Sequence, residues 1–257
     1  MPEARRPSQP DRSYGPNTTA PPAGHRGQPL PTGDEKVRLV RHMFDTIAPR
    51  YQAINHVMSL GLDRGWRRRC VASLGLAPGS RVLDVACGTG DLTRALKVAG
   101  MEPLGLDLSA GMLSFAGKRD PLVLADALRS PFAAGTFDGA VSGFAMRNVV
   151  DLSALFVELA RIVRPHGRIA LLDMSEPDNR VLRLGHTLWA KKVVPVIGSA
   201  LSDTTAYHYL PRSLEYLPAP ATIITFLEQA GFRAVERRPM ALGATQLYVA
   251  TRAASAK

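Results

Sequence analysis

Apolar residues recur along this chain with two different spacings, and the changes from one spacing to the other predict the order of its secondary-structure elements. Short apolar runs of strand length alternate with stretches that place apolar residues three or four positions apart, which is helical spacing. The strand-like runs are Arg81–Val85, Pro103–Asp107, Leu122–Leu124, Asp138–Gly143 and Arg168–Met174, and the helix-like runs are Asp91–Ala99, Ala110–Gly117 and Leu152–Val163. This alternation predicts an α/β fold with a doubly wound, mostly parallel sheet.

The C-terminal part of the chain completes the pattern. A helix is predicted around Ala221–Ala230, and two β-like runs follow near Arg233–Arg237 and Thr245–Thr251. These two runs bring the predicted sheet to seven strands. Residues 178–217 interrupt the alternation, and we expect an inserted helical cap there.

The N-terminal part divides at about residue 33. Residues 1–33 hold eight of the twenty prolines and little that could be buried, which is typical of a disordered tail. Thr32 and Glu35 have the spacing of a capping box. We therefore expect N-terminal helices over residues 34–74 and one domain over residues 34–257.

Composition sets broad limits on the class of protein. Two cysteines among 257 residues do not form a disulfide framework, and residues 1–30 contain no apolar stretch of signal-peptide length. Both features favour a cytoplasmic protein. The net charge of +10 suits nucleic acid, anionic lipid or an acidic ligand, and it does not choose among them.

The stretch VLDVACGTGDLT (82–93) is the first candidate for chemistry. It runs from a strand through a glycine-rich turn to a helix, which is how nucleotide-like cofactors are held. It lacks the third glycine of a dinucleotide fingerprint, and the chain has no G-K-[ST] of a phosphate-binding loop. Asp84 would repel a diphosphate, but it would attract an ammonium group.

Two more acids follow at successive strand ends. Asp107 ends the second strand, where a ribose diol needs an acceptor, and Asp126 follows the third strand, where an adenine amino group needs one. Taken singly, Asp84, Asp107 and Asp126 could each be a cap or a turn residue. Taken in order around the glycine loop, they predict S-adenosylmethionine (SAM).

The sequence does not contain the motifs that several other kinds of enzyme require. The stretch after the fourth strand reads SGFAMRNV and has no [DN]-P-P-[YF] motif of an amino methyltransferase, and neither cysteine follows a proline as in a cytosine C5 enzyme. No histidine or cysteine spacing is typical of a metal site, and G-x-S-x-G is absent. We expect no metal.

Five stretches give the chain a family resemblance. They are FDTIAPRYQAINHVMSLGLDRGWRR (44–68), DVACGTGD (84–91), FAMRNVVD (144–151), RIVRPHGRIALLD (161–173) and YHYLPRSLEYLP (207–218). Together they resemble the ubiquinone/menaquinone C-methyltransferase family, whose members methylate a ring carbon of a polyprenyl quinol. The resemblance runs from about Arg41 to Arg252 and implies SAM as methyl donor, with demethylmenaquinol as the favoured acceptor.

The resemblance also implies roles for individual residues. Arg147 and Asn148 match a family pair that faces the substrate pocket, and Gly143 takes the place of a cofactor contact. A phenol has a pKa of about 10, and a fixed arginine beside it favours the nucleophilic phenolate. The expected cofactor contacts are Asp84, Ala86, Gly88, Thr89, Gly90, Asp107, Leu108, Asp126, Ala127 and Gly143.

Three further residues are candidates for proton transfer. Relative to the family pattern, His56 and Asp63 exchange the acid and the histidine; on one helix they would share a face. We hypothesise that this pair orients a proton-relaying group. His208 is a candidate base in the cap, although a buried structural role fits it equally well.

The cap also bears on partners. Apolar residues such as Leu184 and Trp189 alternate there with Arg183, Lys191 and Lys192, a composition that suits contact with an anionic membrane. A helix packed on its own core fits equally well. A lipid quinol is the expected partner, a homodimer stays open, and no nucleic acid is expected.

Two alternative functions remain open at this point. One is a C- or O-methyltransferase that acts on another aromatic or polyketide-like molecule. The other is an inactive SAM-binding protein whose basic surface binds nucleic acid or membrane.

Overall fold

The structure is a computed structural model, and it describes residues 32–59, 61–117, 120–188 and 213–254. Three helices come first: α1 (Gly33–Ile47), α2 (Tyr51–Met58) and α3 (Asp63–Ser73), with a 3-10 turn at Ala48–Arg50 between the first two. The predicted tail 1–33 and most of the predicted cap 178–217 lie outside the described residues. Their assignment stays a prediction, except that Gly33 is the first residue of α1.

A seven-stranded sheet follows. Its strands are β1 (Arg81–Val85), β2 (Glu102–Asp107), β3 (Leu122–Leu124), β4 (Phe137–Gly143), β5 (Val163–Met174), β6 (Phe232–Met240) and β7 (Thr245–Arg252). Their order is β3-β2-β1-β4-β5-β7-β6, with β1 to β5 parallel and β7 antiparallel to both of its neighbours. The predicted fold class, α/β with a doubly wound and mostly parallel sheet, is confirmed.

Further helices follow β1, and those that pack on the sheet cover both of its faces. They are α4 (Asp91–Val98), α5 (Ala110–Ser114), α6 (Leu152–Ile162), α7 (Arg180–Leu188) and α8 (Pro220–Gln229), with 3-10 turns at Met146–Asn148, Ser213–Tyr216 and Ala241–Gly243. Leu83, Val85 and Ile169 pack on one face with α6 and α8. Val82, Ala170 and Leu172 pack on the other with α3 and α4. Successive strand residues thus enter opposite cores, as the pleat of a doubly covered sheet requires.

Several local predictions differ from the structure; helix α5, for example, ends at Ser114 instead of Gly117. Thr32 does occupy the N-cap of α1, but its side chain makes no capping hydrogen bond, so the capping box does not form. The helix predicted to run to Val163 ends at Ile162, because Val163 already has extended backbone angles and pairs with Phe137 of β4. The register then shifts, and regular pairing resumes at Arg168 after a stretch that contains Pro165.

Helix α1 is fixed to the sheet layer through a close approach to α5. The Asp45 carboxylate accepts hydrogen bonds from Ser109 Oγ at 2.5 Å and from the Gly111 amide at 3.0 Å. A Cβ atom on Gly111 would lie 2.8 Å from the Asp45 Cα atom. Only glycine allows this approach of the two helices.

We therefore expect the substitution Gly111→Ala to push α1 away from α5. The free energy of unfolding should fall by about 1–3 kcal/mol, as for other overpacked contacts. The matched control is Gly65→Ala in α3, where a Cβ atom would meet no atom within 4 Å. That control should raise stability by up to about 1 kcal/mol through helix propensity. Equal midpoints of the two variants in urea denaturation would contradict the close approach.

Candidate active site

One open cavity lies at the carboxyl edge of the parallel strands. It encloses about 870 Å³ of space, which includes the solvent at its open mouth. One part of its wall comes from the ends of β1 and β2 and from the turn after β3, and it consists of Ala86, Gly88, Leu106, Asp107, Leu108, Met112, Asp126, Ala127 and Leu128. The other part comes from α1, α2 and the segment after β4, and it consists of Val37, Val40, Phe44, Tyr51, Gly143, Phe144, Ala145, Asn148, Val149 and Val150.

The glycine-rich loop bends through left-handed backbone angles. Gly88 has φ 54° and Gly90 has φ 79°, and Ala86 adopts φ 54° although it carries a side chain. Asp107 supports the loop from the next strand, because its Oδ2 accepts the Gly88 amide at 2.7 Å. The acid of β2 therefore shapes the loop that follows β1. Gly90 itself is the N-cap of α4 and is not part of the cavity wall.

Asp84 lies beneath this loop rather than in the cavity wall. Its Oδ2 accepts a hydrogen bond from Thr93 Oγ1 at 2.7 Å, and its Oδ1 is buried without a hydrogen-bond partner in the described structure. Burial raises the pKa of this carboxyl to about 7. Thr89, also buried, has an Oγ1 atom in the same unpaired state. Both unpaired atoms belong to the segment that sequence reasoning assigned to the cofactor.

Asp107 and Asp126 both line the cavity, as their places at strand ends imply. Asp107 Oδ1 also accepts the Ser109 amide at 2.9 Å, and burial raises the pKa of Asp107. Asp126 Oδ1 accepts the Leu128 amide at 2.9 Å, which closes the turn after β3. Each carboxylate therefore has a fixed orientation and retains acceptor capacity for a ligand.

Helix α1 forms the apolar side of the cavity and is anchored near its other end by Lys36. The Lys36 Nζ atom donates to the Val149 carbonyl at 2.8 Å and lies 3.7 Å from the centre of the Tyr216 ring. Burial lowers the pKa of this amine to about 8. Lys36 thereby joins α1 to the segment after β4, whose residues Val149 and Val150 are part of the same wall.

Tyr51 is a cavity residue that sequence reasoning missed. Its ring contacts Phe44 edge to face, and its Cε1 atom lies 3.9 Å from where a Cβ atom on Gly88 would be. Burial raises the pKa of its hydroxyl, whereas the positive charges of Arg147 and Arg67 act in the opposite direction. The tyrosine was present in the motif FDTIAPRY, but nothing in its spacing distinguished it from a core residue.

The Arg147–Asn148 pair divides between the cavity and the protein interior. Asn148 lines the cavity, and its side-chain nitrogen lies 3.4 Å from the Phe144 carbonyl oxygen. Arg147 is buried, is not part of the cavity wall, and donates from its guanidinium to the Asp173 carboxylate at the end of β5. The structure thus places Asn148 in the cavity wall and Arg147 behind it, where a buried carboxylate holds its side chain, and the substrate-facing role of Arg147 stays a prediction. Asp173 was present in the motif RIVRPHGRIALLD but carried no signal of this partnership.

His56 and Asp63 do meet, but in another way than the hypothesis assumed. They lie on different helices, α2 and α3, and His56 Nδ1 is 3.4 Å from Asp63 Oδ1. Asp63 also holds Arg67, and Arg67 in turn reaches Asp91 at 3.3 Å, at the start of α4. Neither His56 nor Asp63 belongs to the cavity wall.

The remaining candidates are a histidine, a cysteine and possible metal ligands. His208 lies outside the described residues. Cys87, in the glycine loop, is a buried free thiol whose pKa is raised by burial and by the charges of Asp84 and Asp107. Within the described part of the chain, no three His, Cys, Asp or Glu side chains form a group that could hold a metal ion. In that same part, no helix is long and apolar enough to cross a membrane.

These features fit SAM. The oriented carboxylates of Asp107 and Asp126 are acceptors of the kind that ribose hydroxyls and an adenine amino group require, and the glycine loop leaves backbone groups open to close approach. The unpaired Asp84 Oδ1 atom lies under the loop that would hold the amino-acid end. Of the ten predicted cofactor residues, those in the cavity wall are Ala86, Gly88, Asp107, Leu108, Asp126, Ala127 and Gly143.

Comparison with known proteins places this site in a family. Residues 32–252 match the ubiE/COQ5 methyltransferase family. A demethylmenaquinone methyltransferase of Roseiflexus castenholzii is 37% identical over 85% of this chain and 95% of its own length. The ubiquinone/menaquinone biosynthesis C-methyltransferase UbiE of Syntrophotalea carbinolica is 39% identical over 81% of this chain and 92% of its own.

Solved structures share the fold at low sequence identity. A methyltransferase bound to the activator Trm112 from Haloferax volcanii has a TM-score of 0.60 at 18% identity, covering 82% of this chain and 97% of that one. A SAM-dependent methyltransferase of Thermotoga maritima has a TM-score of 0.59 at 16% identity, covering 83% and 99%.

The match to the family extends over nearly all described residues, from the first helix to the last strand. The chain therefore belongs to the ubiE/COQ5 methyltransferase family, and it is a SAM-dependent C-methyltransferase with the class I fold.

Proposed function

We propose that the protein methylates a ring carbon of a polyprenyl quinol, with demethylmenaquinol as the favoured acceptor. The observation that carries this proposal is the composition of the cavity. Oriented carboxylates line one part of it, and an apolar wall with Asn148 and Tyr51 lines the other. The names of the relatives support the same acceptor, since they denote quinone-biosynthesis methyltransferases. The comparisons lend no support to a different aromatic acceptor or to an inactive SAM-binding protein.

The carboxylate part of the cavity suits the cofactor. Bound SAM supplies an electrophilic methyl group on a cationic sulfur. Asp107 would accept from the ribose hydroxyls and Asp126 from the adenine amino group, while Ala86 and Gly88 present backbone to the rest of the molecule. Asp84 acts from beneath the loop as a negative charge that favours a cation above it.

The apolar part suits a quinol ring and the start of its tail. Val37, Val40, Phe44 and Val149 offer apolar contact, and the Asn148 amide can accept from or donate to a ring hydroxyl. A ring carbon becomes nucleophilic when an adjacent hydroxyl loses its proton, and a nearby positive charge favours that loss. Arg147 supplies this charge from behind the cavity wall, through a guanidinium that Asp173 holds in place.

A membrane contact is also part of the proposal. Helix α7 exposes Val181 by 79% and Leu184 by 66%, with Arg180 and Arg183 on the same short helix. Exposed apolar side chains beside arginines suit the surface of an anionic bilayer, where a polyprenyl substrate resides.

The reaction is tested by methyl transfer from labelled SAM to short-tailed acceptors. We expect transfer to the ring carbon of reduced demethylmenaquinol, less to a benzoquinol analogue, and none to the oxidised quinone, which has no hydroxyl to ionise. Arg147→Ala should abolish transfer, whereas Arg164→Ala should not, because Arg164 pairs with Asp138 on the surface. Methyl on oxygen, or no transfer to any quinol with SAM still bound, would refute the proposed acceptor chemistry.

The raised pKa of Asp84 predicts a pH dependence of cofactor binding. A carboxyl with a pKa of about 7 is mostly neutral at pH 6 and mostly ionised at pH 8. Because only the ionised form attracts the ammonium group at the amino-acid end of SAM, SAM affinity should rise roughly three- to tenfold from pH 5.5 to 7.5. The rise should vanish in Asp84→Asn and persist in Asp151→Asn, which keeps an N-cap residue on α6. Calorimetric titration at three pH values measures it, and an unchanged slope in Asp84→Asn would rule this role out.

The hypothesis that His56 and Asp63 orient a proton-relaying group stays a prediction, tested by a double-mutant cycle. His56→Gln, Asp63→Asn and the double variant are compared for kcat with the reduced quinol. The 3.4 Å contact predicts that their effects are not additive. Because Asp63→Asn also releases Arg67, thermal midpoints are recorded alongside kcat. Additive losses in kcat would argue against a shared role in proton transfer.

A further inference from the structure

The ion pair of Arg147 and Asp173 stands between the cavity and the protein core. Asp173 is fully buried at the end of β5, and Arg147 is 8% exposed in the 3-10 turn after β4. Asp173 binds this turn twice, through the guanidinium and through the Arg147 backbone amide at 3.3 Å. It also accepts the amide of Met174 at 2.7 Å. A carboxylate with this many donors has a fixed position.

The two members of the pair have different surroundings. Arg147 lies in the segment whose residues Phe144, Ala145 and Asn148 line the cavity, so its charge is directly behind this part of the wall. The negative charge of Asp173 reaches Tyr248 of β7, in the core, whose pKa burial raises to about 12 with a contribution from Asp173. The pair thus lies between the cavity wall and the core.

The cavity must hold two ligands of different charge. The cofactor brings a permanent positive charge on sulfur, and the proposed acceptor becomes an anion when its hydroxyl ionises. An unpaired arginine would favour the anion but repel the cation, since charges in a poorly hydrated site interact strongly. Arg67 is a second cation near Tyr51, and it is already neutralised by Asp63 and Asp91.

We propose that Asp173 is the positioning residue of this site: it holds the Arg147 guanidinium behind the cavity wall and offsets its charge, so that the cavity admits a cationic cofactor. The part of this proposal that concerns the cofactor rests on family membership alone. The part that concerns the acceptor rests on the proposed function. Asp173 need not touch either ligand.

The test compares the binding of SAM with that of S-adenosylhomocysteine, which has the same shape without the methyl group and its positive charge. In Asp173→Asn, Arg147 loses its anionic partner, and the affinity for SAM should fall at least about threefold relative to S-adenosylhomocysteine. In Arg147→Gln, Asp173 is left without its cation. The ratio of the affinity for SAM to the affinity for S-adenosylhomocysteine should then rise. The double variant, which removes both charges, should return the ratio to that of the wild type.

The controls separate charge from structural damage. Asp138→Asn breaks another arginine–aspartate pair, with Arg164 at the opposite end of β4, and should leave the ratio unchanged. Damage to the site would weaken both ligands equally and move the ratio in neither direction. If Asp173→Asn fails to fold, the sign of the shift in Arg147→Gln decides, since a ratio that falls or stays constant there overturns the proposal.

The measurement is independent of the acceptor. Titration calorimetry on the full chain uses no quinol, so failure of the proposed acceptor would leave its outcome intact. Conversely, equal weakening of both cofactor forms in Asp173→Asn would sink the role of Asp173 even if demethylmenaquinol were methylated. Where turnover is observed, Asp173→Glu should recover kcat over Asp173→Asn, because the longer side chain restores the negative charge.

Discussion

The anchoring of helix α1 across the carboxyl edge of the sheet is the contact on which the cavity depends. Parallel strands end in a row of loops, and such a row is an open crevice until another element covers it. Here Asp45 fixes one end of the helix to α5, and Lys36 fixes the other end to the segment after β4. Between these two anchors, Val37, Val40 and Phe44 lie over the edge of the sheet and form one wall of the cavity. The polar ends of the helix hold it in place, and its apolar middle supplies the wall.

Local pattern was enough to predict the sheet. Strands β1 and β3 begin and end where the apolar runs do, and β2 and β4 start one residue earlier than predicted. The acids Asp107 and Asp126 were found by the same logic, because the end of a parallel strand is a position that a sequence marks locally. Helix α6 ends one residue earlier than predicted, and β5 begins at Val163 instead of Arg168, because pairing with β4 decides this boundary and no local signal reports on pairing.

Contacts between segments that are distant in sequence could not be predicted from the local pattern of residues. Arg147 and Asp173 are both visible in the sequence, yet nothing in the spacing says that one neutralises the other. The same holds for Tyr51, which resembled any aromatic residue of an amphipathic helix until the fold put its ring beside Gly88. His56 and Asp63 were paired for the wrong reason, because a helix break at the intervening residues, rather than a shared helical face, brings them together.

The buried thiol of Cys87 has a consequence for the integrity of the protein itself. An enzyme that stores an alkylating reagent exposes its own nucleophiles to it, and a thiolate is the strongest nucleophile among the side chains of this loop. Burial and the neighbouring carboxylates of Asp84 and Asp107 raise the pKa of Cys87 and keep it protonated. The same acids that are proposed to hold SAM therefore keep the nearby thiol in its less reactive, protonated form, which protects the protein from alkylation by its own cofactor.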